Sequence, residues 1–139
     1  MRKINNQRHD FKFYSEKNQQ MLVVHSKEAK TLADLLESDS SVLSYQVCVP
    51  INPQELLKVS MVDIRKEYKP EVGDTKPTWE TDFLIEYATG KKAVRELSKD
   101  ELLEKRAELE KLELSRRYWK SQGITDWKIV LFQKKEDAK

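Results

Sequence analysis

The stretch TDFLIEYATGKKAVREL, residues 81–97, decides the fold. Two β-prone runs, 82–87 and 92–97, flank Ala88-Thr89-Gly90-Lys91, a turn sequence with a glycine where the backbone reverses. This spacing predicts an antiparallel hairpin. Directly after it, residues 99–121 read as one long helix, with Leu102, Leu109, Leu112 and Trp119 on a single stripe. Its acids come early (Asp100, Glu101, Glu104) and its bases late (Arg116, Arg117, Lys120), the order a helix dipole favours. Gly123 is placed to end it. The run DWKIVLF, 126–132, is apolar on both faces and reads as a buried strand. Because it follows a crossover helix, it is expected to lie parallel to a central strand.

Upstream, the apolar runs Phe11–Tyr14 and Met21–Val24 surround a polar turn and suggest a second hairpin. Residues 27–37 are helix formers, with Leu32, Leu35 and Leu36 on one face and Ser26 as the N-cap. Residues 42–51 read as a strand ending at Pro50, and Leu57–Ile64 as another, followed by a loop from Lys69 to Glu80. The order of helix, strands, helix and strand defines an α/β fold around one mixed sheet.

Composition narrows the chemistry. With 139 residues the chain is one domain's worth, and its 36% charged residues make it a charge-rich globular sequence. Three Trp, five Tyr and four Phe are too many for a disordered chain. Its single cysteine, Cys48, excludes an internal disulfide, and with two histidines a Cys- or His-based metal site is not expected. Three glycines cannot build a Gly-rich phosphate loop. No apolar run approaches the roughly 18 residues of a membrane span, and no hydrophobic segment follows the first residues, so a cytoplasmic protein without membrane contact is expected. Net charge is +2, but residues 1–27 carry +4 and 128–139 carry +2, which leaves the middle at −4. Basic ends around an acidic centre fit a nucleic-acid binder whose centre holds a metal, but charge alone favours an ordinary solvated surface with ragged tails.

Within that acidic centre, Asp82 opens one strand of the 82–97 hairpin and Glu96 closes the other. Carboxylates so placed can approach each other and hold a divalent cation through oxygen. Such a cation activates water and stabilises charge at a phosphate. An Asp, about fourteen residues and then Glu-x-Lys is also the skeleton of the PD-(D/E)xK nucleases, although here the third residue is Ser98. Acids at strand ends are common, and the spacing alone is a weak signal. Ser98-Lys99-Asp100-Glu101 has its own structural reading as a capping box, with the serine oxygen accepting from the Glu101 amide.

Longer stretches strengthen the nuclease reading. ESDSSVLSYQ (37–46), TDFLI (81–85) and above all LEKLELSRRYW (109–119), followed by GITDWKIVLF, resemble the TnsA endonuclease family of bacterial transposons. The resemblance runs from about Tyr14 to Phe132. It implies a restriction-endonuclease-like single domain with a mixed sheet flanked by helices, Mg2+-dependent DNA cleavage, and partnership with DNA and a transposase. It implies four site positions: a Glu on the first helix, the Asp of the TDFL motif, a Glu or Gln, and a Lys two residues later. Counted without gaps, these fall on Ala29, Asp82, Glu96 and Ser98. Two of the four are lost, and what remains is at most one weak Mg2+ site at Asp82 and Glu96. Glu28 and Lys99 are neighbours with suitable chemistry. One step along a helix turns a side chain by about 100°, however, and one step along a strand reverses its face.

Two functions fit this pattern. The first is a TnsA-like subunit of a mobile element that binds DNA and a partner transposition protein, with its own cleavage weak or lost. The second is a non-enzymatic interaction protein of a phage or mobile element that uses the scaffold to inhibit or regulate another DNA-processing machine. A nuclease with migrated Glu28 and Lys99 is a third. Expected DNA contacts are Arg2, Lys3, Arg8 and Lys12 in the arm and Arg116, Arg117 and Lys120 at the helix end. The expected divisions are a basic arm with a hairpin (1–25), the TnsA-like core (26–133) and a disordered tail (134–139). The oligomeric state is left open.

Overall fold

The computed structural model describes residues 10–59 and 79–132. A hairpin of β1 (Phe11–Ser15) and β2 (Gln20–Val24) comes first, as its apolar runs predict, followed by helix α1 (Lys27–Ser38). Ser26 caps α1, its Oγ accepting from the Ala29 amide at 3.0 Å. α1 buries Ala29, Ala33 and Leu36, with Leu32 packed against the same cluster, so two of the three predicted leucines face the core and Leu35, 60% exposed, does not. The two alanines complete that face and let the helix backbone sit close to the sheet.

Four strands form the main sheet in the order β3 (Val42–Pro50), β4 (Glu80–Tyr87), β5 (Lys92–Ser98) and β6 (Asp126–Leu131). The first three are antiparallel neighbours, and β6 runs parallel to β5. The 82–97 hairpin and the parallel return are therefore as expected. β6 is nevertheless an edge strand, half-exposed along its length, with Leu131 48% exposed. Its apolar run does not mark a strand covered on both faces.

Two further expectations are corrected. Residues 53–59 form helix α2 (Pro53–Val59) where a strand was read over Leu57–Ile64, and residues 60–64 lie outside the described residues, as does the loop up to Pro77. The reason is local: Asn52 Oδ1 accepts from the amides of Gln54 and Glu55, both at 3.0 Å, and Pro53 occupies the first helical position. The single helix over 99–121 is in fact two, α3 (Asp100–Leu103) and α4 (Arg106–Ser121), separated by an extended Lys105. α3 buries no residue, so nothing holds its axis in line with α4. The buried face of α4 is Leu112, Leu114, Ser115, Tyr118 and Trp119, while Leu109 stays 49% exposed. Gly123, at φ +90°, ends α4 as predicted, with the Ile124 amide bonded to the Trp119 carbonyl at 2.9 Å.

The sheet separates two apolar clusters. α1 and the β1–β2 hairpin pack on Tyr45, Phe83, Ile85 and Ala93. α2 and α4 pack on Val49 and Val94 from the other side. Glu37, in the motif 37–46, ties the first layer together. Its carboxylate accepts from Ser15 Oγ at 2.5 Å, Tyr45 OH at 2.6 Å and the Lys17 amide at 3.3 Å. Burial pushes this carboxyl's pKa up, but those bonds outweigh it and hold the group below its usual range. The hairpin turn also closes the outer edge of β3, because Asn18 Oδ1 accepts from the Tyr45 amide at 2.9 Å.

Candidate functional site

Asp82 and Glu96 stand on adjacent strands, because β4 and β5 pair antiparallel with Phe83 opposite Arg95. Each carboxylate reaches across to the other strand's backbone. The Asp82 amide donates to Glu96 Oε1 at 3.1 Å, and the Leu97 amide donates to Asp82 Oδ2 at 2.8 Å. Glu96 is 1% exposed, and its second oxygen, Oε2, accepts from Ser115 Oγ at 2.5 Å. Ser115 accepts in turn from Trp127 Nε1 at 2.9 Å. Burial, then the Asp82 charge beside it, raises the Glu96 carboxyl to about 7. Burial likewise raises Asp82, against the Leu97 amide and the Lys111 charge, which favour its ionised form.

Helix α4 sets this arrangement. Glu108, Lys111, Ser115 and Trp119 follow one another at helical spacings of three and four, so they share a face. Three of them bond a strand residue at the site: Glu108 to Ser98 at 2.7 Å, Ser115 to Glu96, and Trp119 Nε1 to Thr81 Oγ1 at 2.8 Å. The fourth, Lys111, exerts its charge on Asp82. Sequence reasoning missed this set. The helical period applied to polar as well as apolar residues of 108–119 would have revealed it.

Ser98 is not the predicted cap. It is 1% exposed, still within β5, and its Oγ donates to Glu108 Oε2. The chain continues extended through Lys99, which is the N-cap of α3 and makes no side-chain capping bond. Because strand geometry holds Ser98 on the face of Glu96, its hydroxyl meets α4 before it can turn toward Glu101.

Ala29 packs on the α1 side of the sheet. It lines a cavity of about 110 Å3 with Val24, His25, Ser26, Cys48, Asp82 and Phe83. A longer side chain at position 29 would enter the space beside Asp82. Cys48 is half-buried rather than fully buried, at φ +51°, and His25 Nδ1 pairs with Asp10 Oδ1 at 2.7 Å. Neither Glu28 nor Lys99 is bonded to the acid pair among the described residues. Glu28 lines a separate groove with Leu32, Leu35, Leu97 and Phe132, and Lys99 Nζ lies 6.0 Å from the Phe132 ring centroid.

Of the expected DNA contacts, Arg2, Lys3 and Arg8 lie outside the described residues. Lys12 is exposed on β1, and Lys120 is exposed at the end of α4. Arg116 and Arg117 both bind Glu113, at 2.8 Å each, so this trio offers one surplus positive charge instead of two. The three tryptophans are core or core-edge residues, as expected: Trp119 is 6% exposed, and Trp79 and Trp127 pack on the same cluster.

The sheet with its Asp–Glu pair across the central hairpin lies within the stretch of sequence that carries the chain's family match. Residues 39–131, more than half of the chain, match the model of the TnsA-like endonuclease N-terminal domain. The chain belongs to that family and has its restriction-endonuclease-like fold. Comparison with curated proteins finds no match. The family's nucleases are Mg2+-dependent, but the donor set here does not fit a full metal site. Both Glu96 oxygens and one Asp82 oxygen are bonded to protein donors, and Ala29 offers no ligand. No group of three or more His, Cys, Asp or Glu able to hold a metal is found among the described residues. No described helix is long and apolar enough to cross a membrane.

Proposed function

We propose that the chain is a TnsA-like endonuclease-fold subunit of a mobile element, working in the cytoplasm. It binds DNA and a partner transposition protein, and its own cleavage is weak or lost. The observation that carries this reading is the commitment of Glu96: buried, raised toward neutrality and bonded through both oxygens, it acts as a strut between β4, β5 and α4. Cleavage of a phosphodiester needs a preorganised positive charge to meet the charge that develops on the phosphate. Loss of one such group costs on the order of 10²–10³ in rate. Ser98 cannot carry that charge, and the Lys99 ammonium lies by Phe132. DNA contact is assigned to the arm (Arg2, Lys3, Arg8, Lys12) and to the helix end (Arg116, Arg117, Lys120).

The second reading is a non-enzymatic interaction protein that regulates another DNA-processing machine. It is favoured by the Ser98–Glu108 bond, which turns the lysine position into packing.

The test is plasmid cleavage with Mg2+ and with Mn2+. Wild-type protein is expected to leave supercoiled and linear DNA intact. Nicking that disappears in both Asp82→Ala and Lys99→Ala would show an active site that has migrated and would overturn the reading.

A further inference from the structure

The acid-pair end of the hairpin is a poor seat for a polyanion. Asp82, Glu96 and Glu108 gather there, and among the described residues Lys111 is the cation whose charge acts on Asp82. The other end of the same hairpin differs. β4 and β5 meet at the turn 88–91, which begins six residues beyond Asp82, or roughly 20 Å along the strand. A cleft of about 700 Å3 opens there between the turn and the α4–β6 connection. Lys91 and Lys92 line it from the turn, and Gln122 and Asp126 from the opposite wall. A second cavity of about 210 Å3, lined by Arg116, Lys120 and Trp127, shares Ile124 and Thr125 with the first. The fold thus joins the hairpin turn and the helix end, far apart in sequence, into one continuous surface.

Its charge is unbalanced. Lys91, Lys92 and Lys120 are exposed. No ion pair among the described residues involves them. The nearby acids are mostly committed: Asp126 to Arg95 at 2.9 Å, and Glu113 to Arg116 and Arg117. Glu86, opposite Lys92 in register, is the remaining acid on this face. Flexible lysines around an open, polar cleft suit many interchangeable phosphates rather than one small anion. The aromatics do not offer a stacking platform for single-stranded bases. Trp119 is 6% exposed with its indole nitrogen on Thr81, and the Trp127 nitrogen is on Ser115.

We propose that this cleft, with Lys91, Lys92 and Lys120, seats the sugar–phosphate backbone of duplex DNA at the end of the hairpin remote from the acid pair. The proposal rests on the DNA-binding reading above and gives it a location outside the nuclease site. A duplex seated there meets the lysines of the turn end and is kept off the acidic end of the hairpin by like charge.

The test is anisotropy titration of a duplex of about 20 base pairs, two helical turns, without metal, at two salt concentrations. The proteins are wild type, Lys91→Ala/Lys92→Ala, Lys120→Ala and the arm variant Arg2→Ala/Lys3→Ala. The Lys91/Lys92 variant is expected to lose on the order of tenfold in affinity, and its log–log salt slope to become shallower by about 1.8, two phosphate contacts' worth. A wild-type readout that needs no variant is chemical acetylation, in which DNA should protect Lys91, Lys92 and Lys120. If wild type binds DNA, the arm variant weakens it and the Lys91/Lys92 variant does not, the cleft proposal falls while the DNA-binding reading stands. If wild type does not bind duplex at low salt, both fall. If poly-glutamate competes as well as DNA at equal charge, through the same lysines, the surface takes an acidic protein and the DNA assignment is overturned.

Discussion

Glu96 is the residue on which the site turns. A buried carboxyl raised to about 7 holds its proton in the folded protein at pH values where the unfolded chain, with an ordinary glutamate value of 4.5, has released it. The folded state therefore binds more protons between those values, and its stability falls as pH rises from about 4.5 to 7. Glu96→Gln removes the charge while keeping one of the two acceptor oxygens. It is expected to flatten that fall, as read by denaturant unfolding at pH 5 and pH 8. A variant less stable than wild type at pH 8, with the slope unchanged, would mean that the ionised carboxylate is the stabilising form. Asp82 and Glu96 were legible in the sequence as a pair across a hairpin. The cage around Glu96 was not, because Ser115 reaches it from helix α4 and is itself held by Trp127 of β6.

The elements that could be read in advance were those with strong local punctuation. Gly90 between two β-prone runs placed the central hairpin, Ser26 placed the start of α1, and Gly123 placed the end of α4. Where local punctuation and residue type conflict, the punctuation wins. Asn52-Pro53 is a helix start, and the leucines and valine after it form α2 although their type favours a strand. Asn52→Ala should therefore cost about 1 kcal/mol, because two amides lose their acceptor. An unfolding midpoint equal to wild type would remove Asn52 from that role. The break at Glu104–Lys105 and the exposure of β6 were not legible. Both depend on what packs against the element, and no residue in either segment announces its neighbours.

At the scale of the whole molecule, the hairpin β4–β5 carries opposite charge at its two ends. Its strand-start end is acidic and internally bonded, and its turn end is basic and open. The family's fold is kept intact, including the cavity beside Ala29 and Asp82, while the donors that would complete a metal site are spent on α4 or missing. The central claim is that the acid pair is a structural strut rather than a working metal centre. The most direct measurement is calorimetric titration of Mn2+ into the wild-type protein at pH 7, with Asp82→Ala and Glu96→Gln alongside. The account predicts no site tighter than about millimolar, as expected of one weakly offered carboxylate, and titrations that coincide for all three proteins below that concentration. A stoichiometric submillimolar site in wild type, absent from both variants, would contradict it.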